Sequence, residues 1–180
     1  FLAFMLVISV SVRKNFGIEE YITINRLHDL AKLVFAFSLL WAYMGYSQYL
    51  VIWYADLPEE TPYLVIRSME QPWALMFLLI IIAVFAIPFL GLLPKTFCRI
   101  PNYIRAMGIW VVISQWFVIY LMVVPSLQDF GHYRVDMGLH ELLITLGFVG
   151  IFFLSYFTFL GKVPILPISD KHLCRSWHGH

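Results

Sequence analysis

A chain of 180 residues that is 61% hydrophobic, 18% aromatic and 13% charged falls far below the roughly 25% charged residues of a soluble domain, which excludes a water-soluble globular protein. Twelve Lys and Arg against eleven Asp and Glu leave a net charge of +1, with no basic cluster of the kind that binds nucleic acid. Cys98 and Cys174 show no CxxC, CxxCH or zinc spacing, so neither haem c, nor an iron–sulfur cluster, nor a metal is expected on this chain by itself.

The expected class is all-α: a polytopic transmembrane helix bundle over 1–160 and a cytoplasmic tail over 161–180. The opening FLAFMLVISVSV, about 1–12, is only about half a span. It lacks the positive n-region of a signal peptide, so the expectation is a piece of a longer polytopic protein that begins inside a helix. Arg13-Lys14 should end that helix, with an interfacial connection to about Arg26.

Four full spans are then expected, at about 29–54, 72–93, 102–124 and 138–160. The first of them exceeds a hydrocarbon layer of ~30 Å and should tilt or project into the headgroups. In the connection that follows it, Asp56-Leu57-Pro58-Glu59 reads as an N-cap with proline and glutamate in the first turn, opening a short helix through about Ser68. Pro88 removes a backbone donor within the next span and should kink it near Val84 to Ile87. Pro125 closes the span after that, and a polar loop follows with Asp129, His132, Arg134 and Asp136.

Charge placement gives an orientation. Arg13, Lys14, Arg26, Lys32, Lys95, Arg99, Arg105, Lys162, Lys171 and Arg175 fall on one side. Arg67 and Arg134 fall on the other, among Asp56, Glu59, Glu60, Glu70, Asp129, Asp136 and Glu141. The positive-inside rule puts the first set in the cytoplasm, so Asp56–Glu60 and the His132–Glu141 loop are expected on the outer, periplasmic face.

Three groups of polar residues are candidates for chemistry. Lys32, Ala36, Leu39, Tyr43, Tyr46, Ser47, Leu50 and Tyr54 recur at steps of three and four and share one face of the long span, with Gln48 able to join them. This seam has two readings: a proton relay or wall of a cavity for a polar-headed lipophile such as a quinone, and plain interhelical hydrogen bonding. Asp56, Glu59 and Glu60, with His140 and Glu141 at the start of the last span, offer acceptors for the protons a quinol releases at the membrane edge. Helix capping explains Asp56, Glu59 and Glu141 equally simply.

The third group is Ser114, Gln115, Trp116 and Tyr120, with Gln115 near mid-membrane as the best partner for Gln48 or the tyrosines. Asp29 and Lys32 extend a polar track toward the cytoplasm, or pair with each other. A b-type haem is not expected, because His28, His132 and His140 lie at span ends or in a loop and His172, His178 and His180 in the tail.

Two stretches are distinctive: SQYLVIWYADLPEET and the ending FLGKVPILPISDKHLCRSWHGH. Both resemble the ActF family of membrane subunits of bacterial alternative complex III, within the wider NrfD/PsrC family, and the likeness covers most of the chain. The resemblance implies the C-terminal part of a fold of two four-helix bundles in the bacterial inner membrane. It also implies a complex that oxidises menaquinol and passes electrons to haem c and iron–sulfur clusters on partner subunits, and on to a cytochrome c or an attached terminal oxidase. An ActC-like paralogue is the better-placed quinol oxidant in such complexes. The expected role here is therefore a membrane anchor with an optional proton path, the alternatives being a quinol site near the periplasmic face and a purely structural anchor.

Overall fold

The computed structural model describes residues 1–15, 19, 22–127 and 138–162. Seven α-helices form among them: α1 (Leu2–Asn15), α2 (Ile24–Ala55), α3 (Thr61–Ser68), α4 (Trp73–Ile81), α5 (Ile87–Leu92), α6 (Pro101–Val123) and α7 (Leu139–Leu160). No strand occurs among the described residues, so the chain is an all-α bundle. It divides into two compact units, Phe1–Val135 and Asp136–His180. The second is known here through α7 alone; the cytoplasmic-tail expectation for 163–180 and the loop at 128–137 lie outside the described residues.

Among the described residues four stretches are long and apolar enough to cross a membrane: Ile24–Ala55, Trp73–Leu92, Pro101–Leu127 and Leu139–Leu160. Because lipid offers backbone groups no hydrogen bonds, each must close its ladder internally. α2, at 32 residues, is about 48 Å long. It starts earlier than the expected residue 29. Leu27 is fully buried among α1 and α6 side chains, which draws the polar Asn25–Arg26 stretch into the helix.

Apolar burial does not drive helix association in lipid, where close packing of small residues does much of the work. The first unit follows this rule where α1 crosses α6. A Cβ at Gly108 would lie 2.8 Å from Val7 Cγ2 and 3.1 Å from the Ala3 carbonyl, so glycine permits the approach. Around the crossing, Ala3, Leu6, Val10, Leu27, Ala31, Ile104 and Val111 form one core. A second, aromatic core holds Trp73, Ile80, Val84, Tyr120 and Leu121 with Trp41 and Trp116 against it. Trp116 stacks on Tyr120 with ring centres 5.7 Å apart.

The turn after α2 differs from expectation. Asp56 ends α2 in the left-handed region (φ 46°, ψ 42°), its N–H bonded to Ile52 O, a conformation aspartate tolerates better than most residues. It does not open α3, whose first residue is Thr61 and whose N-cap is Glu60; Pro58 and Glu59 belong to the intervening turn. Thr61 Oγ1 donates to Leu57 O at 2.8 Å.

Pro88 takes effect through a π-helical turn, Ile82–Ala86, between α4 and α5. Ile87 N–H reaches back five residues to Ile82 O, the wider register that accommodates a break in the α ladder. Two α6 side chains brace this region: Trp110 Nε1 donates to Ala83 O at 2.9 Å and Tyr103 OH to Gly91 O at 3.0 Å.

Candidate functional site

The site grows out of Pro125. Pro125 has no N–H, so the carbonyl four residues earlier, Leu121 O, loses its helical donor, and α6 gives way to a 3-10 turn, Val124–Leu127. Arg67, near the end of α3, supplies what is missing. Its Nε donates to Leu121 O at 3.0 Å, and Nη2 donates to Met122 O at 2.7 Å and to Ser126 Oγ at 2.6 Å. Nη1 donates to Tyr63 O at 2.8 Å, while the guanidinium carbon lies 3.6 Å from the Tyr63 ring centre.

Arg67 is only 4% exposed. Among the described residues no carboxylate pairs with it; the ion pairs found are Arg13–Glu19, His28–Asp29 and Lys32–Asp29. Burial draws its pKa down from the usual arginine range, with Tyr63 acting in the opposite sense, yet a guanidinium stays protonated throughout the physiological range. The C-terminal end of a long helix carries a partial negative charge, so a cation is favourable there.

A cavity of about 370 Å³ opens beside this arginine, between α2, α3, the α4–α5 segment and α6. Trp41, Phe77, Ile80, Phe85 and Val118 give it an apolar wall, and Tyr46, Gln48, Tyr63, Arg67 and Ser68 bring polar groups to it. The size matches clefts that hold the head of a small ligand. Chemically, the combination suits a lipophile with a polar head.

The sequence-predicted residues fall into separate places. Lys32, Ala36, Leu39, Tyr43, Tyr46, Leu50 and Tyr54 do share one face of α2, and all are exposed, with Ser47 half-buried. α2 buries Leu27, Ala31, Val34, Ser38 and Ile52 instead. Tyr43 is 68% exposed, and the seam makes no interhelical hydrogen bond among the described residues. Tyr46 and Gln48 reach the cavity; Tyr43 and Ser47 do not line it. Gln115 is half-buried elsewhere on α6 and is not in the lining. Ser114 donates within its own helix to Trp110 O at 2.8 Å. At the other end of α2, Lys32 and Asp29 pair at 3.4 Å, both exposed.

Asp56, Glu59 and Glu60 are exposed in the α2–α3 turn, outside the cavity lining. Asp56 and Glu70 border a separate shallow depression on α3. His140 and Glu141 belong to the second unit, in the first turn of α7, with Glu141 well placed toward the helix N-terminus; His132 lies outside the described residues. No group of three His, Cys, Asp or Glu side chains that could hold a metal occurs among the described residues.

Sequence reasoning counted Arg67 only as an outer-side charge. Two signals pointed further: it is one of just two cations on that side, and Pro125 orphans a carbonyl that needs a donor. A comparison with protein-family models finds no match to this chain, and a comparison with curated proteins finds none either.

Proposed function

We propose that this chain is a membrane-embedded subunit of a quinol:electron-acceptor oxidoreductase, anchoring the complex in a bacterial inner membrane and seating a lipophilic molecule at its α3 end. The observation that carries the reading is the cavity of about 370 Å³ with its apolar wall and its edge of Tyr46, Gln48, Tyr63 and Arg67. The resemblance of SQYLVIWYADLPEET to the ActF family supplies the respiratory context. Charge placement supports a periplasmic α3 end, with Lys95, Arg99 and Arg105 toward the cytoplasm. Redox groups, haem c and iron–sulfur clusters, belong in this reading to partner subunits, and menaquinol is the diffusible substrate.

A quinol-oxidising role for the cavity is the second reading. Tyr46, Gln48 and Tyr63 offer hydrogen bonds to a quinol head, and the exposed Asp56 turn nearby in sequence offers a proton acceptor open to water. A proton path through the full depth has less support, since Gln115 is outside the cavity and Lys32–Asp29 form an exposed pair.

The test is purification of the full-length protein from its own membranes through an affinity tag. Co-purification of haem c and iron–sulfur subunits with quinol oxidation activity is expected; a chain that purifies without them sinks the assignment. Filling the cavity with Gly45→Phe separates the two roles: turnover should persist for an anchor and fall for a quinol site.

A further inference from the structure

Among the described residues the charge in the cavity is unanswered. Four groups among those residues accept from Arg67, and all are neutral: the carbonyls of Leu121, Met122 and Tyr63 and the hydroxyl of Ser126. A guanidinium has five N–H groups, so these bonds leave one on Nη1. The α6 C-terminus offsets only about half an elementary charge, and a buried ion without a counter-ion is costly. An anion next to Arg67 would relieve that cost.

The surroundings say what kind of anion. The wall is built of Trp41, Phe77, Ile80 and Phe85, which a free hydrated anion gains nothing by meeting and an acyl chain matches. Gly45 lines the same space, and no atom beyond its chain neighbours and its own stretch of helix backbone lies within 4 Å of where its Cβ would be, so room remains along α2. α3 joins the ends of two membrane-length helices, so Arg67 lies where the spans end and headgroups begin in a membrane crossed by them. A neutral quinone head would use the tyrosines but leave the charge unanswered.

We propose that the cavity beside Arg67 binds a phospholipid of net negative headgroup, its phosphate oxygens accepting from Arg67 and one acyl chain entering between α2 and the α4–α5 segment. This rests on the reading of the cavity as a seat for a lipophile.

The test uses the full chain in nanodiscs of equal phosphatidylglycerol and phosphatidylcholine, followed by detergent washing and mass spectrometry of retained lipid. Phosphatidylglycerol should be retained over phosphatidylcholine by about tenfold, because phosphatidylcholine brings a quaternary ammonium to the guanidinium along with the same phosphate. Arg67→Gln should bring the ratio near one. Because that variant also strips bonds from the end of α6, Gly45→Phe supplies an independent arm: it fills open space and should abolish retention of both lipids with thermal unfolding unchanged. Equal retention of the two lipids by the unmodified chain overturns the headgroup assignment but leaves the cavity reading intact. So does a naphthoquinone retained equally by the unmodified chain and Arg67→Gln and displacing the lipid. Displacement of phosphatidylglycerol by millimolar inorganic phosphate overturns the amphiphile assignment. Retention of no lipid and no quinone overturns both readings.

Discussion

Two prolines interrupt membrane-length helices in the first unit, and the chain repairs them by different means. At Pro88 the helix itself yields: the π turn Ile82–Ala86 widens the ladder, and a neutral indole, Trp110, bonds to Ala83 O. At Pro125 the helix stops, and the orphaned Leu121 O is met from another element by a buried cation, Arg67. The first repair also draws on α6, through Trp110, but leaves no charge behind. The second ties α3 to α6 and deposits a positive charge beside a cavity. A backbone defect mended by an arginine thus becomes a binding determinant, whereas one mended by a change of helical register does not.

The largest test of this contrast is Arg67→Met, which keeps the apolar stem and removes every donor. Leu121 O then loses its side-chain partner, while Met122 O keeps Ser126 Oγ at 3.5 Å; an unsatisfied buried polar group costs about 1–3 kcal/mol before water relieves it, and the lost guanidinium packing adds to that. A loss of roughly 3 kcal/mol in unfolding free energy is expected in a detergent titration followed by circular dichroism. A loss under about 1 kcal/mol would mean that the arginine's bonds are replaceable by solvent.

The next test links the arginine to the proline. Pro125→Ala restores an N–H that can return to Leu121 O. Introduced together with Arg67→Met, it should recover about 1 kcal/mol, the worth of one such bond. Strict additivity in the double-mutant cycle would show that Arg67 stabilises α6 for reasons unrelated to Pro125.

How much of this was legible beforehand depends on the range of the interaction. Helix class, the four long spans and the positions of Pro88 and Pro125 follow from composition and local chemistry, and the structure is all-α, with four helical stretches among the described residues long and apolar enough to cross a membrane. The shared face of Tyr43, Tyr46 and Tyr54 follows from helical periodicity alone. Its direction did not: α2 turns that face outward because Leu27, Ala31, Val34 and Ser38 carry the packing, and an aromatic-polar stripe beside an apolar one gives no local sign of which is buried. Asp56 was read as opening α3 because aspartate suits both a helix start and a left-handed helix end. Arg67 bonding to residues 54 and 55 positions away is a tertiary fact that no window of sequence contains.

A smaller effect is expected at the other proline. Trp110→Phe removes the indole donor to Ala83 O but keeps a ring of similar bulk, and Trp110 is itself 41% exposed. A cost of about 1 kcal/mol or less follows, with the π turn retained because Pro88 still lacks its N–H. A cost equal to that of Arg67→Met would erase the distinction between the two repairs.

The smallest expected effect concerns pH. Burial holds Arg67 below its ordinary pKa, so the unfolded chain keeps the proton to higher pH than the folded one. Stability linked to this group therefore rises as pH climbs through the folded value and levels off at the unfolded one. Both lie in the alkaline range for a guanidinium. Between about pH 5 and 9 Arg67 is charged in either state, and its contribution to stability should be flat. The difference in unfolding free energy between the unmodified chain and Arg67→Met, measured across that window, should then stay constant. A slope in the difference would mean that a second titrating group answers the guanidinium, and the positive charge assigned to the cavity would have to be shared with it.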